Sequence, residues 1–451
     1  MRRPLLAIVL LLVYAGPVLA QDPPPGIRLS TTYQTQNRPL LAVRPFEGAA
    51  PIAEALDSIT GIVQRDLMNS SRFNIVEGVP ASLRTGTVDY AQWNSLNVVY
   101  LVTGAVTPSA DGYVVTLTVH DIVYARVVHD GRYVLPAATN PAFRMAVHAL
   151  SDQVVQSALN SPGSAATRIV ATRQHGDGNY DLLIMDSDGF GMRRIAGFGG
   201  QIYSPVWSPD GRRILYATGG GKWQLVERDV ATGRQNTFDP GGDMIMPPAA
   251  YAPDGSTIAL GVWRQNGAEL VQYDVSRGGG LRKLTGDLNT ISMYPSYSPD
   301  GSRLAFMSDR IGRPAVYVMT SGGGSATMLS PFVSGQSSDY AAPSWSPTGS
   351  RVAFHGIWNR NMRGSYQIMI ANADRPGDQI EQITSRGNNE DPSWAPDGRN
   401  IVYTSVGDGP GGLYIIDAVT RTRRLLARGD NLRMAEWSPL LLRARDLAAQ
   451  Q

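Results

Sequence analysis

The sequence predicts an all-β six-bladed propeller, closed by its C-terminal strand and preceded by a small α/β domain. Three observations carry that prediction. A Pro-x-aromatic-Ser-Pro-Asp-Gly motif recurs through the second half, the recurrence is regular, and the last copy is truncated where a closing strand is needed. The full motif stands at Pro205-Val206-Trp207-Ser208-Pro209-Asp210-Gly211 and again at 295–301 around Tyr297. Variants surround Tyr251, Trp345 and Trp394, and a sixth copy, Ala435-Glu436-Trp437-Ser438-Pro439, stops before its turn. Successive aromatics lie 43 to 49 residues apart, the length of one four-stranded blade.

Each repeat supplies strands A to D. Strand A holds the aromatic. Strand B is almost continuously apolar (214–218, 258–262, 304–308, 352–356, 401–405), as expected when neighbouring blades cover both of its faces. In the turn between A and B, proline presets φ, aspartate suits the next position and glycine takes the left-handed conformation. The aromatics are expected to wedge between blades, as structure rather than as a site. Strands B, C and D also precede the first motif, at 168–172, 182–186 and 192–196, without an A strand. The last motif is an A strand without followers, so joining the two ends makes the sixth blade.

The repeat also assigns faces. A-to-B and C-to-D turns share one end and are short. The B-to-C and D-to-A loops at the other end differ among blades (240–248, 286–294, 331–342, 357–365, 385–391), and variable loops on a repeated scaffold are where binding sits. They carry Met244, Met246, Met293, Tyr294, Tyr340, Trp358 and Met362, side chains that suit a protein partner.

The first twenty residues read as an export signal. Arg2 and Arg3 precede an apolar run at 5–14, broken by Gly16 and Pro17, with Val18-Leu19-Ala20 at the cleavage positions. No cysteine follows for lipid attachment, and the chain has none at all, which suits an exported protein that folds without disulfides. No other segment is apolar enough to span a bilayer, so an integral membrane protein is not expected. Segment 21–37 is extended and proline-rich at its start. The small domain covers 38–160: a strand at 40–46, an amphipathic helix at 52–69 presenting Ile59, Ile62, Val63 and Leu67, a short helix at 90–96, a hairpin at 98–106 and 113–121, a further strand at 123–134, and a helix at 141–159 capped by Asn140. A linker at 161–167 leads to the propeller at 168–440, and 441–451 is left as a tail.

Of 451 residues 17% are charged and the net charge is +2, without a basic cluster, so nucleic acid is not an expected partner. Glycine (48) and proline (30) fit a turn-rich β protein. The five histidines show no metal-ligand spacing, and there is neither a nucleophile elbow nor a phosphate-binding loop. Asp186-Ser187-Asp188-Gly189 begins like a calcium loop but lacks the later acidic ligand. No catalytic residue, cofactor or metal is expected, and the chain reads as a monomeric binding scaffold.

The mature chain resembles the TolB family, periplasmic propellers of the Tol-Pal cell-envelope system. The resemblance rests on the blade motif, on 38–46, 62–70 and 71–74 of the first domain, and on Ala435 to Leu440. It implies a non-enzymatic role in outer-membrane integrity and cell division. It implies that the peptidoglycan-associated lipoprotein Pal binds the propeller, where Asn388-Asn389-Glu390-Asp391-Pro392 matches the family's loop and Met293-Tyr294-Pro295 holds the equivalent place in another blade. Met244 and Tyr340 complete that expected surface. It also implies that TolA binds the N-terminal segment through Ile27, Arg28 and Leu29, although Ser30 and Thr31 replace the family's apolar continuation. Two other readings remain: a substrate-gating propeller related to prolyl-oligopeptidase-like peptidases, and a propeller that binds a small ligand or glycan in its channel. The chain ends soon after ring closure, so a following hydrolase domain is not expected.

Overall fold

The computed structural model describes residues 38–449, apart from 198–199, 220–222, 239–243, 265–266, 276–278, 287–288, 332–337, 358–364 and 379. The expected export signal, segment 21–37, and the loop residues Trp358 and Met362 lie outside the described residues.

Two apolar helices and one sheet make the first domain. Strands β1 (Leu40–Val43), β2 (Glu47–Gly48), β3 (Asn74–Ile75), β4 (Tyr100–Ser109), β5 (Gly112–Asp121) and β6 (Arg126–Pro136) run in the order β3-β1-β4-β5-β6, with β2 also on β4. β1 is parallel to both neighbours, and β4 to β6 form an antiparallel meander. Helices α1 (Ala53–Asn69) and α3 (Phe143–Leu159) belong to the same core, and α2 (Tyr90–Ser95) adds Trp93 to a second cluster. The stripe read on α1 is the buried one: Ile59, Ile62, Val63 and Leu67 are at most 5% exposed. α3 begins two residues later than the Pro141 start. Asn140 caps a preceding turn, where its Oδ1 accepts the Ala142 N–H at 2.9 Å, and Asn160 ends the helix at φ 49°.

The propeller has six four-stranded sheets, and the sixth joins the two ends of the domain. Its strand A, Leu432–Trp437, pairs antiparallel with Arg168–Gln174, followed by Tyr180–Asp186 and Arg193–Ala196. The junction is pinned where Ser438 N–H donates to Arg168 O and Arg168 N–H to Ser438 Oγ, both at 2.9 Å. The six aromatics are wedges as expected, each at most 9% exposed. Arg303 and Arg351 stack over Trp345 and Trp394 at 4.9 Å, which explains a cation at the start of strand B. Serine just before the wedge straps one blade to the next: Ser296, Ser344 and Ser393 Oγ accept the N–H of Trp345, Trp394 and Trp437.

The turn aspartates are punctuation. Asp210 Oδ1 accepts from Ser208 Oγ and Arg212 N–H, and Asp300 repeats the pattern, with its carboxyl held down to about 2 by the hydroxyls of Ser298 and Ser302. Gly211, Gly255, Gly301 and Gly398 have φ between 63° and 72°. Gly349, in the copy where Thr348 replaces aspartate, is not left-handed.

This turn-bearing end carries the first domain. Ser164 Oγ donates to Asp397 in a strand A–B turn, and Arg38 Nη2 donates to Thr422 in a strand C–D turn. The residues after ring closure reinforce the contact. Leu440, Leu441 and Leu442 pack against the α3 region, a 3-10 turn spans Ala444–Leu447, and Ala449 N–H donates to Arg132 O on β6. Every strand A begins at the opposite end of the propeller.

Candidate partner-binding site at the channel mouth

Strand A does more than hold the wedge. The segments read as loops at 240–248, 286–294, 331–342 and 385–391 contain the upstream halves of strands: Met244–Tyr251, Ser292–Tyr297, Asp339–Trp345 and Asn388–Trp394. The prolines hid them, because proline inside a run argues against a strand. Here it accompanies a β-bulge, a register shift that every strand A contains, of one residue in five blades and of two in the second.

At five of the bulges the chain turns through positive φ on a residue with a side chain: Ser204 (48°), Tyr294 (57°), Ala342 (50°), Asp391 (53°) and Met434 (50°). Such backbone costs about 1–3 kcal/mol per residue and persists where the surroundings enforce it. With Pro248 of the second blade, these residues line the central channel, a cavity of about 420 Å³. Each blade thus contributes its bulge residue to one ring, and the ring differs from blade to blade in chemistry. Tyr294 and Asp391 are its aromatic and acidic members.

The acidic member sits in a charged corner. Burial, then the neighbouring Glu390, pushes the Asp391 carboxyl up to about 7, although 24% of the side chain stays accessible inside the channel. Its backbone N–H donates to His355 Nδ1 at 3.1 Å, so the proton of this imidazole belongs on Nε2. Burial pushes His355 down to about 4, which keeps it neutral beside the carboxyl. Tyr366 donates to Asp339 at 3.0 Å and packs against His355 with ring centroids 4.8 Å apart and planes tilted by 60°. Tyr294 is raised to about 12, by burial first and then by Asp391, Glu390 and Asp339. Among the described residues, none of Asp339, Glu390, Asp391 and Glu436 has an arginine or lysine within ion-pair distance. Among the described residues the mouth is an acidic, partly apolar opening, where Arg433 favours the charged form of Asp391 from beyond ion-pair distance.

The expected contact residues divide here. Tyr294 and Asp391 lie on the channel wall, Glu390 is partly exposed beside them, and Met293 is partly exposed opposite Met307. Asn388 braces the corner: its Oδ1 accepts Tyr366 N–H at 2.7 Å and its amide donates to Glu390. Asn389 is fully buried and donates to Gln367 Oε1 and Arg386 O, so it holds blades together rather than facing outward. Tyr340 is likewise 1% exposed, edge-on to Phe354 and pressed into the space that Gly356 leaves open. The expectation of a surface position fails for both because of the bulge. Beyond it the alternation inverts, and side chains counted outward from the wedge change sides. Strand Met244–Tyr251 begins at Met244, whose side chain lies outside the described structure, as do Ile27, Arg28 and Leu29. Asp339, His355 and Tyr366 were not singled out. They come from another blade, and only the recurrent x-Pro step in strand A signals where they meet.

A small α/β domain on one end of a six-bladed propeller, with a ring of strained strand-A bulges opening at the other, defines a two-domain propeller protein with an accessible axial site. Residues 27–128 match the family model of the TolB amino-terminal domain and residues 159–441 that of the TolB beta propeller domain, so the chain belongs to the TolB family. It is 29% identical over 215 residues to the Tol-Pal system protein TolB of Methylococcus capsulatus, across 46% of this chain and 48% of that one. It is 32% identical over 199 residues to the protein of the same name from Actinobacillus pleuropneumoniae serotype 5b, across 43% and 45%. The chain thus spans about half the length of the curated relatives it matches. The crystal structure of TolB from Acinetobacter baumannii superposes with a TM-score of 0.75 at 24% identity, across 89% of this chain and 96% of that one, which establishes the shared fold. No helix among the described residues is long and apolar enough to cross a membrane.

Proposed function

We propose that this chain is a periplasmic, non-catalytic connector of the Tol-Pal system, carrying Pal at the channel mouth and TolA on the N-terminal segment, in support of outer-membrane integrity and cell division. The observation that carries the reading is the mouth itself. Tyr294 supplies an aromatic anchor on the channel wall, and Asp339, Glu390 and Asp391 supply carboxyl groups with no arginine or lysine within ion-pair distance among the described residues. A buried aromatic rimmed by charge is the pattern of a protein-binding hot spot. Catalysis finds little support: His355 is held neutral by burial and its Nδ1 is already occupied. Ile27, Arg28 and Leu29 read in the sequence as an apolar-basic-apolar run, a pattern suited to adding a strand to the edge of a partner's sheet.

Titration calorimetry of the purified chain against soluble Pal tests the first half. Tyr294→Ala should weaken binding by about tenfold or more, as expected for a hot-spot aromatic, and Glu390→Gln by less. Unchanged affinity in the Tyr294→Ala, Glu390→Gln double variant places the site elsewhere. Deleting residues 21–34 should abolish TolA capture while leaving Pal affinity unchanged, and undiminished TolA capture contradicts the second half.

A further inference from the structure

A second cluster of ionisable groups lies at the joint between the two domains, and partner binding does not account for it. His148, on α3, is fully buried. Its Nδ1 is 2.7 Å from Asp66 Oδ2 on α1, an oxygen that also accepts Ser151 Oγ at 2.7 Å. Its Nε2 has no hydrogen-bond partner among the described residues and points across the joint, 3.9 Å from Oδ2 of Asp186 in the sixth blade. Asp188, two residues on, completes a trio with Asp66 and His148 whose polar atoms lie within 4.8 Å of one another.

Metal is the first ligand to consider, and the surrounding cations argue against it. Arg144 reaches Asp188 at 2.6 Å and Asp186 at 3.5 Å, Arg65 stands 3.6 Å from Asp188, and Arg168 stands 3.3 Å from Asp186. Arg424, from strand Arg423–Arg428, enters the same corner and donates to Ser187 O. Both propeller carboxylates are therefore already neutralised by guanidinium groups, and a divalent ion would have to displace them. A proton displaces nothing. Burial works against a charged imidazole, but Asp66, and then Asp188 and Asp186, outweigh it and raise His148 above its ordinary range.

The geometry points to His148 as a proton-linked latch: protonated, it ties Asp66 of the first domain to the Asp186–Asp188 turn of the propeller, and deprotonated, it lets the two domains move apart. The sign follows from linkage. A histidine raised on docking contributes adhesion that is complete below its free value near 6.5 and lost as pH rises through the docked value. Asp152, on α3, acts in the same direction. Burial raises its carboxyl to about 7 although it accepts the N–H groups of Ala165 and Ala166 in the linker. Beside these groups a cavity of about 20 Å³ is lined by Asp66, Asp152, Asp188 and Arg424, enough for one water when the latch opens.

Because the chain has no cysteine, paired spin labels can be placed at will, for example by Asp57→Cys on α1 and Ser325→Cys on the propeller, both exposed. The distance distribution should shift to longer separations as pH rises between about 5 and 8. His148→Gln should flatten that shift, and Asp152→Asn should retain its upper part. In the full chain, the imidazole resonance of His148 should titrate above 6.5, and Asp186→Asn, which keeps the histidine, should move it downward. A distance independent of pH, a shift retained in His148→Gln, or a His148 midpoint unmoved by Asp186→Asn overturns the proposal. A shift abolished by a chelator overturns it too, in favour of a bound metal.

Discussion

The two ends of the propeller are built from the same repeat and treat charge in opposite ways. At the turn-bearing end, acids meet cations: Arg399 bonds the fully buried Asp417 at 2.5 Å, Arg144 bonds Asp188, and the first domain closes over the neighbourhood. At the channel mouth, Asp339, Glu390 and Asp391 have no such partners among the described residues. Glu436 takes the strap position that serine holds in three other blades, and burial raises its carboxyl to about 7. An end finished internally serves the fold. An end whose acids are met by neutral donors rather than by described cations costs stability and keeps charge available for something outside the chain.

Breaking that comparison starts at the finished end. Arg399→Ala leaves the Asp417 carboxylate buried without its partner and should cost about 3–5 kcal/mol in denaturant unfolding. A loss below about 1 kcal/mol would mean that water reaches the site. The mouth should respond with the opposite sign. Asp391 is raised from 3.8 to about 7, so its contribution is complete below pH 3.8 and is lost as pH rises through 7. Asp391→Asn should therefore be more stable than the parent at pH 8, by roughly 2 kcal/mol once solvent access is allowed for, and show no advantage near pH 4. Thermal unfolding at the two pH values checks this, and a variant less stable at pH 8 contradicts it. Packing near the mouth sharpens the contrast further. A Cβ at Gly356 would fall 2.1 Å from the Tyr340 ring, so Gly356→Ala should cost about 1–3 kcal/mol. Glu390→Gln should change stability by less than about 0.5 kcal/mol, because a partly exposed carboxylate without a cation loses little.

The sequence announced the repeat because its turns are chemically narrow. Proline, aspartate and glycine in that order suit the A-to-B turn, with Thr348 the one departure from the aspartate, and a wedge aromatic sits just before it. The closing strand was legible for the same reason: Trp437 arrives without a blade of its own. The upstream half of strand A was not legible, because a proline after a bulge reads as a loop and because the bulge inverts the alternation. Hence Tyr294 and Asp391 line the channel, whereas Tyr340 and Asn389 are interior. The partners of Asp391 were hidden by distance, since His355 stands 36 residues away along the chain. The joint around His148 was equally silent, because its carboxylates come from α1 and from the sixth blade and meet only after docking. The residues after ring closure looked like a tail because nothing local shows that Leu442 and Leu447 pack on the first domain.

Amide hydrogen exchange of the chain with and without saturating Pal compares the two ends in a single experiment. Protection should grow over 292–295, 339–342 and 388–392, around the mouth, and stay unchanged over the turns at 208–211 and 298–301. Protection confined to those turns, or to the first domain, would contradict the assignment of the uncompensated end as the partner's face.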